Sequence, residues 1–328
     1  MPSRAERKEI AHRRILNILR RHTVALGRTL EQKIADAGPY DQRIDPHILT
    51  EARRELIKEG RVIRLTRRQI PWFHLDDASP TTLAQRLDAQ EPIHRAIMKQ
   101  QFTKRVGQAL EIAVYRALQS QNTLESFGRY TNLGEHDDSR LYRKEEPPSG
   151  ISGREIPGER KLDFLARHPS AGWAGIEVKN IREWLYPGRD ELIDLLAKCL
   201  HLDAVPVLIG RRIPFVTRRI FQPCGVIVWE TYNQRYPETE HELAAQAAHK
   251  NLLGYHDIRL GNDPGPHLTR FITEILPEEL PAARDRFQNY SDLLESYALG
   301  DMPYVEFAAR VRRREQGTTE DHDWPDED

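Results

Sequence analysis

The sequence has 328 residues, 39% of them hydrophobic and 30% charged, with a mean hydropathy of −0.67. That describes a polar chain with enough material for two or three domains. The net charge of −1 hides an asymmetry: residues 1–75 carry 17 Lys and Arg against 9 Asp and Glu, while the last ten residues include six acids. No apolar run approaches the ~18–20 residues that span a bilayer, so no membrane contact is expected. The opening MPSRAERKEIAHRR lacks the apolar centre of a secretory signal. Cys199 and Cys224 make neither a disulfide framework nor a CxxC pair, and a cytoplasmic setting is expected.

The basic front end has helical periodicity. Ile10, Ile15, Ile18 and Leu19 form one apolar stripe, flanked by Arg13, Arg14, Arg20 and Arg21. A second helix is expected over Thr29–Ala37, with Thr29 as its cap and Gly38-Pro39 as its stop. A third opens on Asp45-Pro46 and runs to Gly60. Val62–Leu65 and Trp72–Leu75 then read as two strands around a basic turn. Three helices followed by a hairpin resemble the winged-helix fold over residues 1–78. The resemblance implies DNA contact through Arg53, Arg54 and Lys58 on the third helix and Arg64, Arg67 and Arg68 on the hairpin. Protein–protein contact is the alternative role of such a module.

Residues 79–101 read as a linker that turns helical, and Thr103–Gln119 as an amphipathic helix with Glu111 at the edge of its apolar stripe. Leu124–Tyr130 is a poorly patterned strand. Residues 131–160 lack periodicity and read as a long loop, functional or disordered.

The chemistry concentrates in Lys161–Asn180. Two strands, Leu162–Arg167 and Trp173–Asn180, are joined by a turn containing Pro169, Ser170 and Gly172. Asp163 lies at the start of the first. Glu177 and Lys179 project from one face of the second, and Val178 points to the other. Buried carboxylates placed together repel each other or take up protons. A divalent cation removes that conflict, and oxygen donors suit Mg2+ or Mn2+. The Val178 carbonyl is a further candidate ligand, and Lys179 can orient or deprotonate the attacking water or offset charge on a phosphate.

Asp163 and the Glu177-Val178-Lys179 triplet, with thirteen residues between the acids, resemble the PD-(D/E)XK nuclease superfamily. Leu162 stands where that family often has proline. The resemblance implies catalysis by Asp163, Glu177 and Lys179, with Glu111 as a helix-borne acid aimed at the metal; its alternative is an ordinary boundary carboxylate. After Lys179, a helix over Asp190–Leu202 and apolar strands Val205–Ile209 and Gly225–Glu230 suit a parallel crossover. On that helix Lys198 and His201 lie where the resemblance implies that some relatives carry an extra polar residue; solvated surface side chains are the expected reading.

Residues 236–318 read as mainly helical, in segments around His241–Leu253, Leu268–Leu276, Leu280–Tyr297 and Tyr304–Arg314, and 319–328 as an acidic disordered tail. HELAA at His241 lacks the second histidine of a zinc-protease motif, and neither a phosphate-binding glycine loop nor a GxSxG elbow occurs. The expected architecture is α/β: a restriction-endonuclease-like mixed sheet flanked by helices over residues 102–235, between the winged-helix module and the helical C-terminal region. The expected activity is Mg2+-dependent DNA cleavage, in restriction, phage defence or repair, by a chain that pairs as a homodimer. An inactive nuclease-like DNA-binding scaffold and a winged-helix regulator are the competing readings.

Overall fold

The computed structural model describes residues 2–36, 44–135 and 137–318. Two compact units result: the described residues through Thr103 together with Glu240–Ile258, and Lys104–Thr239 together with the described residues from Arg259 onward.

The first unit begins with α1 (Arg4–His22), opened by a reciprocal cap in which Ser3 and Glu6 satisfy each other's backbone amides. A three-residue strand, β1 (Val24–Leu26), leads directly into α2 (Gly27–Ile34). Three residues carry no readable period, and β1 was not expected. Its presence moves the helix start from Thr29 to Gly27, so Thr29 lies buried within the helix and caps nothing. The Gly38-Pro39 stop falls outside the described residues. The third helix, α3 (Pro46–Lys58), starts at the expected Asp45-Pro46. Strands β2 (Val62–Arg67) and β3 (Ile70–Leu75) pair antiparallel, and β3 lies between β1 and β2. Their turn puts Arg68 and Gln69 at φ 49° and 65°, a primed turn built without glycine. Residues read as a linker form α4 (Pro80–Ile97), which buries Leu87, Ile93 and Ile97 within this unit. A short helix, His241–Ala248, packs against it.

The second unit opens on α5 (Gln100–Gln119), which belongs to it from Lys104. The poorly patterned segment splits into β4 (Glu125–Phe127) and β5 (Arg129–Tyr130). The expected loop contains three two-residue strands: β6 (Lys144–Glu145) pairs with β5, and β7 (Gly150–Ile151) pairs with β8 (Arg154–Glu155). The main sheet has five strands, in the order β12 (Ile227–Glu230), β11 (Val205–Gly210), β10 (Gly172–Lys179), β9 (Phe164–His168) and β4. Here β9 and β10 are antiparallel, and α6 (Asp190–Leu202) crosses to β11, parallel to β10 as expected. After α7 (Phe215–Phe221), β12 adds in parallel. The result is a mixed sheet flanked by helices.

One face packs the apolar side of α5 and the helices from Leu268 to Ala283; the other packs α6, α7 and the helices Ser291–Leu299 and Tyr304–Glu315. The C-terminal helices therefore complete the core of this unit. The expected Leu280–Tyr297 helix breaks at Tyr290 into Leu276–Asn289 and Ser291–Leu299. Among the described residues no helix is long and apolar enough to cross a membrane.

Candidate active site

The ladder between β9 and β10 ends at Phe164 opposite Ile176. One step further, Asp163 stands opposite Glu177. The Asp163 amide donates to the Ile176 carbonyl (3.1 Å), and its carboxylate accepts from the Val178 amide (2.7 Å), which the end of β9 leaves without a strand partner. Leu162, standing where the resembled family often has proline, is buried in the core.

Alternation along β10 places Val178 in the apolar core on one face and Glu177 on the other, toward α6. Close approach of α6 depends on Gly175. A Cβ there would lie 2.6 Å from Cys199 Sγ and 2.8 Å from Leu162 Cδ1. The helix in turn delivers Lys198, whose Nζ lies 3.0 Å from Glu177 Oε2, 2.7 Å from Asp194 and 2.7 Å from the Lys161 carbonyl. Lys198 is 2% exposed, which corrects the expectation of a solvated side chain; His201 is exposed as expected. The other Glu177 oxygen meets Lys179 Nζ at 2.5 Å.

Glu111 arrives from α5. That helix is tied to the end of β10 by Asn180, whose side-chain amide donates to the Val106 carbonyl at 2.5 Å. Glu111 Oε2 accepts from Tyr130 (2.8 Å) and from Lys144 (2.7 Å), and Lys144 also bonds Asp163 Oδ1 at 3.0 Å. Lys144 comes from β6, inside the stretch read as a loop. No sequence signal marked it. Lys198 did carry one, since it sits between Leu195 and Cys199 on the buried stripe of α6.

Three carboxylates, Glu111, Asp163 and Glu177, thus meet three ammonium groups, Lys144, Lys179 and Lys198. Burial, followed by repulsion from Asp163, raises the Glu111 and Glu177 carboxyls above their usual range. For the lysines burial acts downward, but Glu177 and Asp163 around Lys179, Asp163 and Glu111 around Lys144, and Glu177 around Lys198 outweigh it and hold all three above normal. In this arrangement Glu177 and Asp163 therefore favour the charged form of Lys179.

The donor set fits a hard divalent ion in chemistry: every side-chain donor is oxygen, and Glu111 and Asp163 already converge on one cationic atom, Lys144 Nζ. Among the described residues no group of three or more His, Cys, Asp or Glu is arranged to hold an ion together. The lysines occupy the carboxylates instead, with Glu177 turned toward Lys179 and Lys198. Glu111 and Asp163, but not Glu177, border an open cleft of about 450 Å³ whose lining also includes Lys104, Gln108, Lys144, Glu146 and Lys161.

In the first unit, a groove of about 450 Å³ is lined by Arg28, Glu31, Arg53, Arg54 and Arg64 together with Ile57, Ile70, Pro71 and Phe73. Arg54, Lys58 and Arg64 are exposed. Arg53 is half-buried and stacks 4.5 Å over the Phe73 ring; burial lowers its pKa, and Arg54, Arg28 and Arg64 add to that against Glu31. The hairpin arginines differ. Arg67 is paired with Asp88 (2.7 Å) and Glu91 (3.0 Å), and Arg68 with Glu91 (2.9 Å), all on α4. Comparison with protein-family models, curated proteins and solved structures returned no match.

Proposed function

We propose that this chain is a metal-dependent endonuclease that hydrolyses phosphodiester bonds in DNA, acting in the cytoplasm in restriction, phage defence or repair. The observation that carries the reading is the opposition of Asp163 and Glu177 where β9 and β10 part, with Glu111 brought to Asp163 from α5. Asp163, Glu177 and the Val178 carbonyl would hold Mg2+ or Mn2+. Such an ion supplies a nucleophile at neutral pH and neutralises charge developing on phosphate. Lys179, protonated and beside Glu177, adds a fixed positive charge for the scissile phosphate. Lys104 and Lys161 on the cleft supply a basic approach for a nucleic-acid strand.

The first unit supports DNA as the substrate. Its order of three helices and a hairpin suits a winged-helix module, and Arg53, Arg54, Lys58 and Arg64 give it a basic face. Arg67 and Arg68 contribute less than their position implies, because α4 already holds them. A homodimer would allow one site to cut each strand.

A second reading is favoured by one feature: every carboxylate of the cluster is already bonded to a lysine. It makes the second unit an inactive scaffold and the protein a DNA binder. Supercoiled plasmid incubated with the purified chain and Mg2+ or Mn2+, with and without chelator, separates the two. The nuclease reading requires nicked or linear product that chelator abolishes. DNA binding with no cleavage under either metal leaves the scaffold.

A further inference from the structure

We infer that Lys144 is a built-in competitor for the metal: its ammonium bridges Glu111 to Asp163 Oδ1, the Asp163 oxygen that the Val178 amide leaves over, and an ion drawing on that oxygen must displace it. This rests on the nuclease reading. Lys144 Nζ lies within 3.0 Å of both carboxylates and 3.7 Å from Glu146, with its side chain 11% exposed. The Phe164 ring lies beneath it, 5.3 Å from the nitrogen. One point between two carboxylate oxygens accommodates a monovalent ammonium or a divalent ion, but repulsion and overlap exclude both together.

The residue comes from a two-residue strand paired only with β5, on a segment outside the main sheet. Its side chain can leave without disturbing the β9–β10 fork that positions Asp163 and Glu177. Displacement sends the ammonium toward the cleft that Lys104 and Lys161 also line, where a phosphodiester would approach. Metal entry and the appearance of a free cation for the substrate would then be one event. Without metal, Lys144 lines the cleft with its charge taken up by Glu111 and Asp163.

The test is ion binding by the full chain, measured calorimetrically with Mn2+ and again with Mg2+, in the wild type, Lys144→Gln and Lys144→Arg. Lys144→Gln should bind Mn2+ about tenfold more tightly or better, the size expected when a charge-assisted hydrogen bond no longer has to be broken. Lys144→Arg, which keeps the cation, should stay near the wild type. Equal binding by the wild type and Lys144→Gln, or equal tightening in both variants, overturns the inference and leaves the metal reading standing. No ion binding by any of the three removes the metal reading and the inference together. Acylation of wild-type lysines, mapped by mass spectrometry, gives an answer that needs no variant to fold. Saturating Mn2+ should speed Lys144 labelling relative to Lys58, and an unchanged ratio contradicts displacement.

Discussion

The two basic clusters of this molecule handle charge in opposite ways. In the second unit, Lys144, Lys179 and Lys198 each lie against carboxylates within 3.0 Å, largely out of water. In the first, the groove gathers four arginines and Glu31; Arg28 pairs with Glu31 at 2.8 Å, and no carboxylate hydrogen bond or ion pair is formed by Arg53, Arg54 or Arg64 among the described residues. A buried balanced set stores electrostatic energy that the fold must offset, so its loss is felt in stability and chemistry. An exposed unbalanced set costs the fold little and attracts an outside anion, so its loss is felt in affinity and salt dependence.

The comparison breaks most sharply at the acids. Asp163→Ala and Glu177→Ala should each lower plasmid cleavage by about 10²–10³-fold or more, while DNA affinity measured by fluorescence anisotropy stays within about twofold. An equal loss of affinity would erase the division of labour between the two clusters. Next comes Lys198. Replacing it with Met keeps the volume but leaves Glu177 and Asp194 short of a buried partner, which should cost about 3–5 kcal/mol in urea unfolding. A change under about 0.5 kcal/mol, the range of ordinary surface substitutions, would mean the pair is not buried as described.

Arg54→Ala and Arg64→Ala should do the reverse. Stability should stay within about 0.5 kcal/mol, and the slope of log affinity against log salt should fall by roughly 0.9 for each phosphate that is no longer neutralised. Arg67→Ala and Arg68→Ala should reduce that slope less, because Asp88 and Glu91 already hold those side chains.

The smallest effect concerns pH. Lys144, Lys179 and Lys198 titrate above their usual 10.5 in the folded chain, so their contribution is complete below pH 10.5 and is lost as pH rises through their folded values. Unfolding free energy should therefore fall above pH 10.5, and Lys198→Met should show a shallower fall. The raised Glu111 and Glu177 carboxyls work the other way at the acid end: their neutral forms favour folding below pH 4.5, an advantage lost as pH rises through their folded values.

How much of this could be read from residues alone depended on periodicity. Asp163, Glu177 and Lys179 sit on adjacent strands whose alternation fixes their face, and the crossover from β10 through α6 to β11 follows from apolar runs and chain handedness. The helical stripe marks Glu111 only as a boundary carboxylate; that it faces the Asp163 end of the sheet was implied by the resemblance, and Lys144 links the two acids. Lys144 itself was not legible, since a two-residue strand has no period and its partners are 33 and 19 residues away. Solvation is the usual state of a lysine on a helix, and against it stood the place of Lys198 within the stripe and the extra polar residue that the resemblance implies on this helix. The pairing of Arg67 and Arg68 was hidden by α4, whose Pro92 and weak stripe disguised a packed helix as a linker. The Asp163–Val178 bond depends on where a ladder stops, and alternation does not encode that.

The most direct test is a crystal structure of the full chain soaked in Mn2+, read from the ion's anomalous scattering. The account predicts a peak bounded by oxygens of Asp163 and Glu177, with Lys144 withdrawn from Asp163. Diffraction showing no peak there, with Lys144 still bridging Glu111 and Asp163 and Lys198 still on Glu177 at saturating Mn2+, would contradict it.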